Sequence, residues 1–302
     1  MAGTFDSTPL SEPGFYSAEV VSRSVVSPHL IRIVFGGPAL ALYVGLAAPD
    51  ECVTIHFPPN IDDRLPAMTF ENGVWGYHDV STRPESRNYT VRRRDHHTVT
   101  VDFVVHETGV ASTWAQSARP GHTVVFSRPR SWYACPQGTD WQLLVADLTG
   151  LPAVGRALEQ LAPGQRAHVI LEVPDHADRQ EFRSDGVVTV DWRIGTGNGI
   201  TPTVLVDAVA TFERPAGTGY LWFAGEAAAS RKVRSHARKT WGMSTRQCSV
   251  IGYWRERAEE WLASYRRYEA VALAGYRKAL DEGRTEAQAQ EEFEGLLERV
   301  GL

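Results

Sequence analysis

The residues with most chemistry to offer fall in a few short runs. In RNYTVRR, whose composition predicts a strand, Arg87, Tyr89 and Thr90 stand close together. A planar guanidinium there offers paired donors suited to a phosphate. Soon after comes DFVVHETGVASTWA, which runs from a predicted strand through a glycine turn into a helix. In VADLTGLPAVGRALEQL, Thr149 falls at a helix N-terminus, where free amides and a hydroxyl also suit a phosphate. The same Thr149 reads equally as an ordinary N-cap with Pro152 in the first turn. Arg231, Lys232, Arg234, Arg238 and Lys239 crowd onto one predicted helix, more cation than solubility requires, although a solvated face accounts for most of them.

Other patterns carry less. Asp95, His96 and His97 have no third ligand at a workable spacing and read as a polar hairpin turn, so no metal site is expected. The run GTGNG at Gly195 to Gly199 lacks the G-x-G-x-x-G spacing and reads as a turn rather than a phosphate loop. Cys52, Cys135 and Cys248 are far apart, which argues against an iron–sulfur cluster, a structural zinc and a disulfide framework. Any redox chemistry therefore requires a bound organic cofactor. A net charge of −5 gives no general attraction to nucleic acid. No stretch approaches the roughly 20 apolar residues of a membrane span, and MAGTFDSTPLSEPGF has neither a basic start nor an apolar run. A soluble, cytoplasmic protein is the expectation.

At 302 residues the chain exceeds one hydrophobic core of ordinary size. From Tyr16 to Pro129 the runs YSAEVVSRSVV, LIRIVF, CVTIHF, RNYTVRR, TVTVDFVVH and HTVVF are short and β-rich, with one helix near Val110 to Ala118, which predicts an antiparallel barrel. Asp102, inside the fifth run, is expected to face a ligand or a barrel mouth. Strands and helices then alternate up to Trp254, predicting a mostly parallel sheet with ligands at its carboxyl edge. The remainder is helical and charged, with a break at DEGR and an apolar stripe of Trp261, Tyr265, Tyr268, Leu273 and Tyr276. The expected domains are 1–138, 139–256 and 257–302, the last packing on its own chain in a monomer.

Arg-x-Tyr-Thr alone is a common strand tetrapeptide. Coupled to DFVVH-x-x-G-x-A-S-x-W-A, it resembles the flavin motif of the siderophore-interacting proteins, within the ferredoxin-NADP reductase superfamily. VADLTGLPAV resembles the same family's first strand-to-helix turn, with Leu148 and Gly150 departing from the pattern, and FAGE followed by a basic helix and GYWR resembles its last strand, helix and strand.

The resemblance implies a six-stranded antiparallel FAD-binding β-barrel, a nicotinamide-binding α/β domain and a C-terminal helical extension. It implies Arg87 on the FAD pyrophosphate, Tyr89 and Thr90 against the isoalloxazine, and Asp102, Val104, His106, Gly109, Ala111, Ser112 and Trp114 around the remainder of FAD, Trp114 being either near the adenine or in the core. With NADH or NADPH as electron donor, it implies Thr149 at a dinucleotide phosphate, and Glu226 and Tyr253 as further cofactor-binding residues. For a ferric siderophore it implies Thr54, Arg130, Arg231, Arg234 and Arg255. Thr54 stands where the family often has Lys, and His56, Arg92 and Arg93 are the nearby candidates for the missing charge. The implied activity is a reductase in which flavin takes two electrons as one hydride and passes them singly to iron, with no catalytic side chain required. A ferredoxin-type protein partner and a non-catalytic siderophore-binding module are the alternatives.

Overall fold

The computed structural model describes residues 14–65, 69–71, 74–77, 84–106, 109–256, 261, 264–284 and 286–300. Strands β1 (Phe15–Ser27), β2 (Leu30–Gly36), β3 (Cys52–His56), β6 (Ser86–Arg94), β7 (Val99–Val104) and β8 (Thr123–Ser127) close into an antiparallel barrel of order β1-β2-β7-β6-β3-β8. A small ribbon, β4 (Thr69–Glu71) with β5 (Val74–Gly76), lies outside it and was not expected from the sequence. Alternate residues point inward as the strand period demands: Ile31, Ile33 and Phe35, Val53 and Ile55, Val101 and Phe103, Val124 and Phe126. Helix α1 (Val110–Ser117) plugs the barrel with Trp114, which lies parallel to Phe35 at 6.1 Å between ring centres.

The second domain has β9 (Trp141–Ala146), α2 (Leu151–Glu159), β10 (Arg166–Val173), β11 (Val187–Ile194), α3 (Leu205–Ala210), β12 (Gly219–Glu226), α4 (Ala227–Lys239) and β13 (Cys248–Trp254). Its strands are all parallel, in the order β11-β10-β9-β12-β13. The central strand β9 is buried throughout, which is why it reads as a nearly continuous apolar run. Helix α3 is shorter than ITPTVLVDAVATF suggests, because the turn through Gly199 and Pro202 delays its start to Leu205.

The two domains share one junction. Leu30 and Val104, on the outside of the barrel, belong to the same apolar cluster as α2 and β9. Arg156 of α2 donates to the Val91 carbonyl at 2.6 Å and pairs at 3.1 Å with the fully buried Glu51, which also accepts from Tyr43 at 2.5 Å. Asp50, also buried, accepts from Ser131, from the Trp132 amide and, across the junction, from Trp222 at 3.3 Å. Asp178 accepts from Ser27 at 2.6 Å and pairs with His29 at 2.7 Å.

Beyond β13, α5 (Glu269–Asp281) and α6 (Glu286–Arg299) form a hairpin turning at Glu282 and Gly283, where the DEGR break was expected. The predicted stripe divides. Tyr265, Trp261 and Phe293 build a small core with Ala272 and Leu297, and Tyr276 meets Phe293 edge-on, while Tyr268 and Leu273 remain exposed.

Candidate active site

Register decides which motif residues can act together. Along β6, Arg87 and Tyr89 share one face, and Asn88, Thr90 and Arg92 share the other. Tyr89 lies 4.4 Å from Phe103 at the barrel rim, and burial pushes its phenol far above the usual range. Arg87 is half exposed, held by Glu85 at 2.8 Å and the Ser86 carbonyl at 2.7 Å. Thr90 is buried and pairs in register with Cys52, whose thiol burial raises to about 11.

The other face of the junction supplies Tyr253, from the end of β13. It stands edge-on to Trp222, its hydroxyl approaches Thr90, and burial pushes it well above the ordinary phenol range. Neither hydroxyl closes a hydrogen bond of normal geometry; both are buried and unpartnered. Buried hydroxyls ordinarily find partners, so two orphans side by side mark a place for a polar ligand edge.

Arg130 stands beside them. Its backbone pairs with Cys52 at 2.8 and 2.9 Å, while its guanidinium donates to Thr54 at 3.1 Å and Asn88 at 2.6 Å and lies 5.5 Å from the Trp132 ring centre. Thr54 and Arg130 are thus brought together directly, with Asn88 accepting from both. The sequence reading passed over Asn88 as the variable position of Arg-x-Tyr-Thr; its pairing with Thr54 across β3 and β6 was the signal available.

Helix α1 opens on Gly109 (φ 116°), with no side chain capping its first amides. Such an end attracts phosphate.

Several expected contacts are corrected. Asp102 does not face a ligand: both its oxygens take Arg32 at 2.7 Å, and it is buried. The Ser112 hydroxyl is occupied by the amide and carbonyl of His106, at 2.9 and 2.8 Å, so any phosphate contact of Ser112 falls to its backbone amide in the first turn of α1. The His106 imidazole remains, held below its usual pKa by burial and by His29. Val104 packs into the second domain's core, and Ala111 and Trp114 lie in the barrel core, which resolves the alternatives for Trp114. Among the candidates for the missing charge, His56 is buried beside Phe15 and Arg92 pairs with Glu159 at 2.6 Å; only Arg93 is exposed.

At the carboxyl edge of the parallel sheet, Thr149 donates to Asp147 through its amide (2.8 Å) and hydroxyl (2.6 Å), and Trp254 donates to the other Asp147 oxygen at 2.5 Å. Burial raises the Asp147 carboxyl to about 6 against these donors, with Glu172 adding to the rise. GTGNG is a turn as expected, yet it belongs to this edge. Asn198 accepts from the Leu148 amide at 3.0 Å, and the Trp254 ring lies over Gly199. Glu226 caps α4 by accepting from Ala228 and Ala229, and Arg234 donates to the Val250 carbonyl at 2.6 Å, so both are engaged in the fold. Arg231 is half-buried in the first turns of α4. Arg255 does not join Thr54 and Arg130 through any hydrogen bond described; its guanidinium sits 4.2 Å from the Trp261 ring centre.

With this geometry in place, two domain matches are decisive: a siderophore-interacting FAD-binding domain over residues 19–133 and the siderophore-interacting protein family over 139–257. The chain belongs to the siderophore-interacting protein family. It is 31% identical over 86% of its length to an uncharacterised protein of Mycobacterium tuberculosis, covering 97% of that protein. It is 30% identical over 70% of its length to the NADPH-dependent ferric-chelate reductase of Escherichia coli, covering 82% of that chain. The crystal structure of a siderophore utilization protein from T. fusca superposes with a TM-score of 0.72 at 30% identity, over 81% of this chain and 95% of that one.

The residues present fit FAD, the family's cofactor. An exposed arginine, a helix N-terminus that opens on glycine, a tyrosine packed on Phe103 and two orphaned buried hydroxyls are the groups available to it.

Proposed function

We propose that the chain is an FAD-dependent reductase that draws electrons from NADH or NADPH and delivers them to a ferric siderophore, so that iron leaves as ferrous ion. The observation carrying this reading is the junction itself, where Thr90 and Tyr253 face each other with unpartnered hydroxyls beside Arg130. When bound, FAD would supply the step the side chains lack, accepting one hydride, with its two electrons, and releasing those electrons one at a time.

Arg87 and the α1 amides hold the anionic phosphates. Thr90 and Tyr253 would give polar contacts to the cofactor through their unpartnered hydroxyls, and Tyr89, packed on Phe103, would support it. Arg130, fixed by Asn88 and Thr54, presents positive charge to an anionic chelate without having to be ordered on binding. No proton donor or nucleophile is required of the protein. Hard oxygen donors favour ferric over ferrous ion, so reduction loosens the chelate. On this reading the protein acts as a monomer in the cytoplasm.

The test is anaerobic absorbance of the FAD-loaded protein on addition of NADH or NADPH and then a ferric siderophore. Flavin bleaching followed by recolouring, with ferrous iron trapped by a chromogenic chelator, is the expected result. Flavin left oxidised by both donors overturns the reading.

A further inference from the structure

Glu172 has no role in the site described so far, yet it is 1% exposed, with one oxygen accepting from the Val204 amide at 2.7 Å and the other, Oε2, buried without a partner. Two more unpartnered buried atoms stand next to it: Thr196 Oγ1 and Asn198 Nδ2, from the residues flanking Gly197. Gly197 (φ 73°) lies directly over Oε2, and a Cβ there would overlap the carboxylate, so only glycine allows the loop to cover it. With Gly195 and Gly199 also at positive φ, the cover is backbone held by glycine-compatible turns.

Position gives this cluster a meaning. The sheet order β11-β10-β9-β12-β13 follows the 3-2-1-4-5 order of doubly wound dinucleotide-binding sheets, and Glu172 lies at the end of the second strand about 20 residues past the turn at Gly150. In that architecture an acid at this place accepts from the ribose 2′-hydroxyl, whereas a 2′-phosphate needs a cation. Here a second buried carboxyl, Asp147, stands close enough to feel Glu172. Among the described residues neither carboxylate forms an ion pair. The neighbouring cations are engaged elsewhere: Arg193 with Asp191 at 2.6 Å, and Arg179 over the Trp192 ring.

We propose that Glu172, backed by Asp147, selects the electron donor, favouring the free 2′-hydroxyl of NADH and rejecting the 2′-phosphate of NADPH. This rests on the donor being a nicotinamide dinucleotide, as proposed above. The hydroxyl donates to Oε2 once the 195–199 loop lifts, and the Asn198 amide donates back to the ribose. A 2′-phosphate brings like charge to two carboxylates with no counter-ion.

The test is equilibrium binding of NADH and NADPH to the FAD-loaded protein with its flavin reduced beforehand by dithionite, so that no hydride transfer follows, read by tryptophan fluorescence, with ADP-ribose and its 2′-phosphate as donor-free probes. NADH and ADP-ribose are expected to bind about 10- to 100-fold tighter than their phosphorylated counterparts. Glu172→Gln, whose carbonyl still accepts from Val204, should narrow that ratio about tenfold while flavin absorbance stays unchanged. Equal affinity, or tighter NADPH, in the wild type overturns the proposal, and so does a ratio unmoved by E172Q. If E172Q loses its flavin, the two ADP-ribose probes on the wild type decide alone, equal binding overturning the proposal. Binding of neither nicotinamide overturns the donor reading itself, a failure distinguishable from a reversed preference.

Discussion

The barrel–sheet junction and the C-terminal hairpin are both places where segments distant in sequence meet, and they are built by opposite means. At the junction, buried carboxylates from the barrel (Asp50, Glu51) and from the sheet (Asp178) are each satisfied by donors from the other side or its approaches, around a shared apolar cluster. The hairpin has a small core of its own, separate from the other three, and Arg255 lies against Trp261 beside it. Buried polar networks fix a single geometry because any displacement leaves a charge unpaired. A ring stacked on a cation near the surface imposes no such penalty. Thr90 and Tyr253, the flavin contacts proposed above, lie on the first kind of contact, whereas the hairpin packs around a core of its own.

The largest expected effect follows from breaking that network. Glu51→Ala leaves Arg156 and the buried Tyr43 hydroxyl without their partner, and should lower stability by about 3–5 kcal/mol, the range for breaking one side of a buried pair. Urea denaturation followed by circular dichroism measures it. A loss under about 1 kcal/mol, the worth of a surface ion pair, would mean that the junction is no more constrained than the hairpin.

Asp147 sharpens the comparison at the sheet edge. Its folded carboxyl titrates at about 6, above the ordinary carboxylate value, so the folded state holds the proton more tightly than the unfolded chain. The sign follows directly: this contribution is full below pH about 4, the unfolded value, and is lost as pH rises through about 6, a change of at most about 3 kcal/mol. Asp147→Asn cannot titrate. The stability difference between wild type and variant should therefore move in the wild type's favour as pH falls from 7 to 5, and a difference flat across that interval would contradict it.

How much of this was legible in the sequence depends on whether the cause is local. The six barrel strands, the alternation of the second domain and the DEGR break were readable because strand period and turn residues act within a few positions. Arg87, Tyr89 and Thr90 were found through a motif, and the register then joined Thr54 to Arg130. Asp50 and Glu51 were missed because nothing in APDEC distinguishes two buried acids from a polar turn; their partners, Arg156 and Trp222, are more than a hundred residues away. Asp102 was misjudged for the same reason, since Arg32 lies on a neighbouring strand. GTGNG was read correctly as a turn, but its place against Asp147 and Trp254 depends on strand order, which period and spacing do not encode.

A smaller effect separates ligand contact from stability. Arg87 is half exposed and its partner Glu85 more so, so Arg87→Ala should cost under about 1 kcal/mol in folding. Losing a charge-assisted contact to phosphate should nevertheless weaken FAD about 10- to 100-fold, the equivalent of 1.5–3 kcal/mol. Flavin absorbance per mole of protein after gel filtration reads this. Full occupancy in the variant would remove Arg87 from the cofactor site.

The smallest effect is expected at the hairpin. A chain ending at Glu256 loses α5, α6 and Trp261, and with them a core that contains no residue of either domain. The unfolding midpoint of the remaining 256 residues should shift by less than about 2 °C, because 1 kcal/mol moves a protein of this size by roughly 2–4 °C. FAD occupancy and the rate of flavin bleaching by the nicotinamide should match the full chain. A clear drop in midpoint would show the hairpin docked as firmly as the junction. An altered bleaching rate at unchanged midpoint would instead make it a cover over the nicotinamide edge, with Trp261 on Arg255 as its latch.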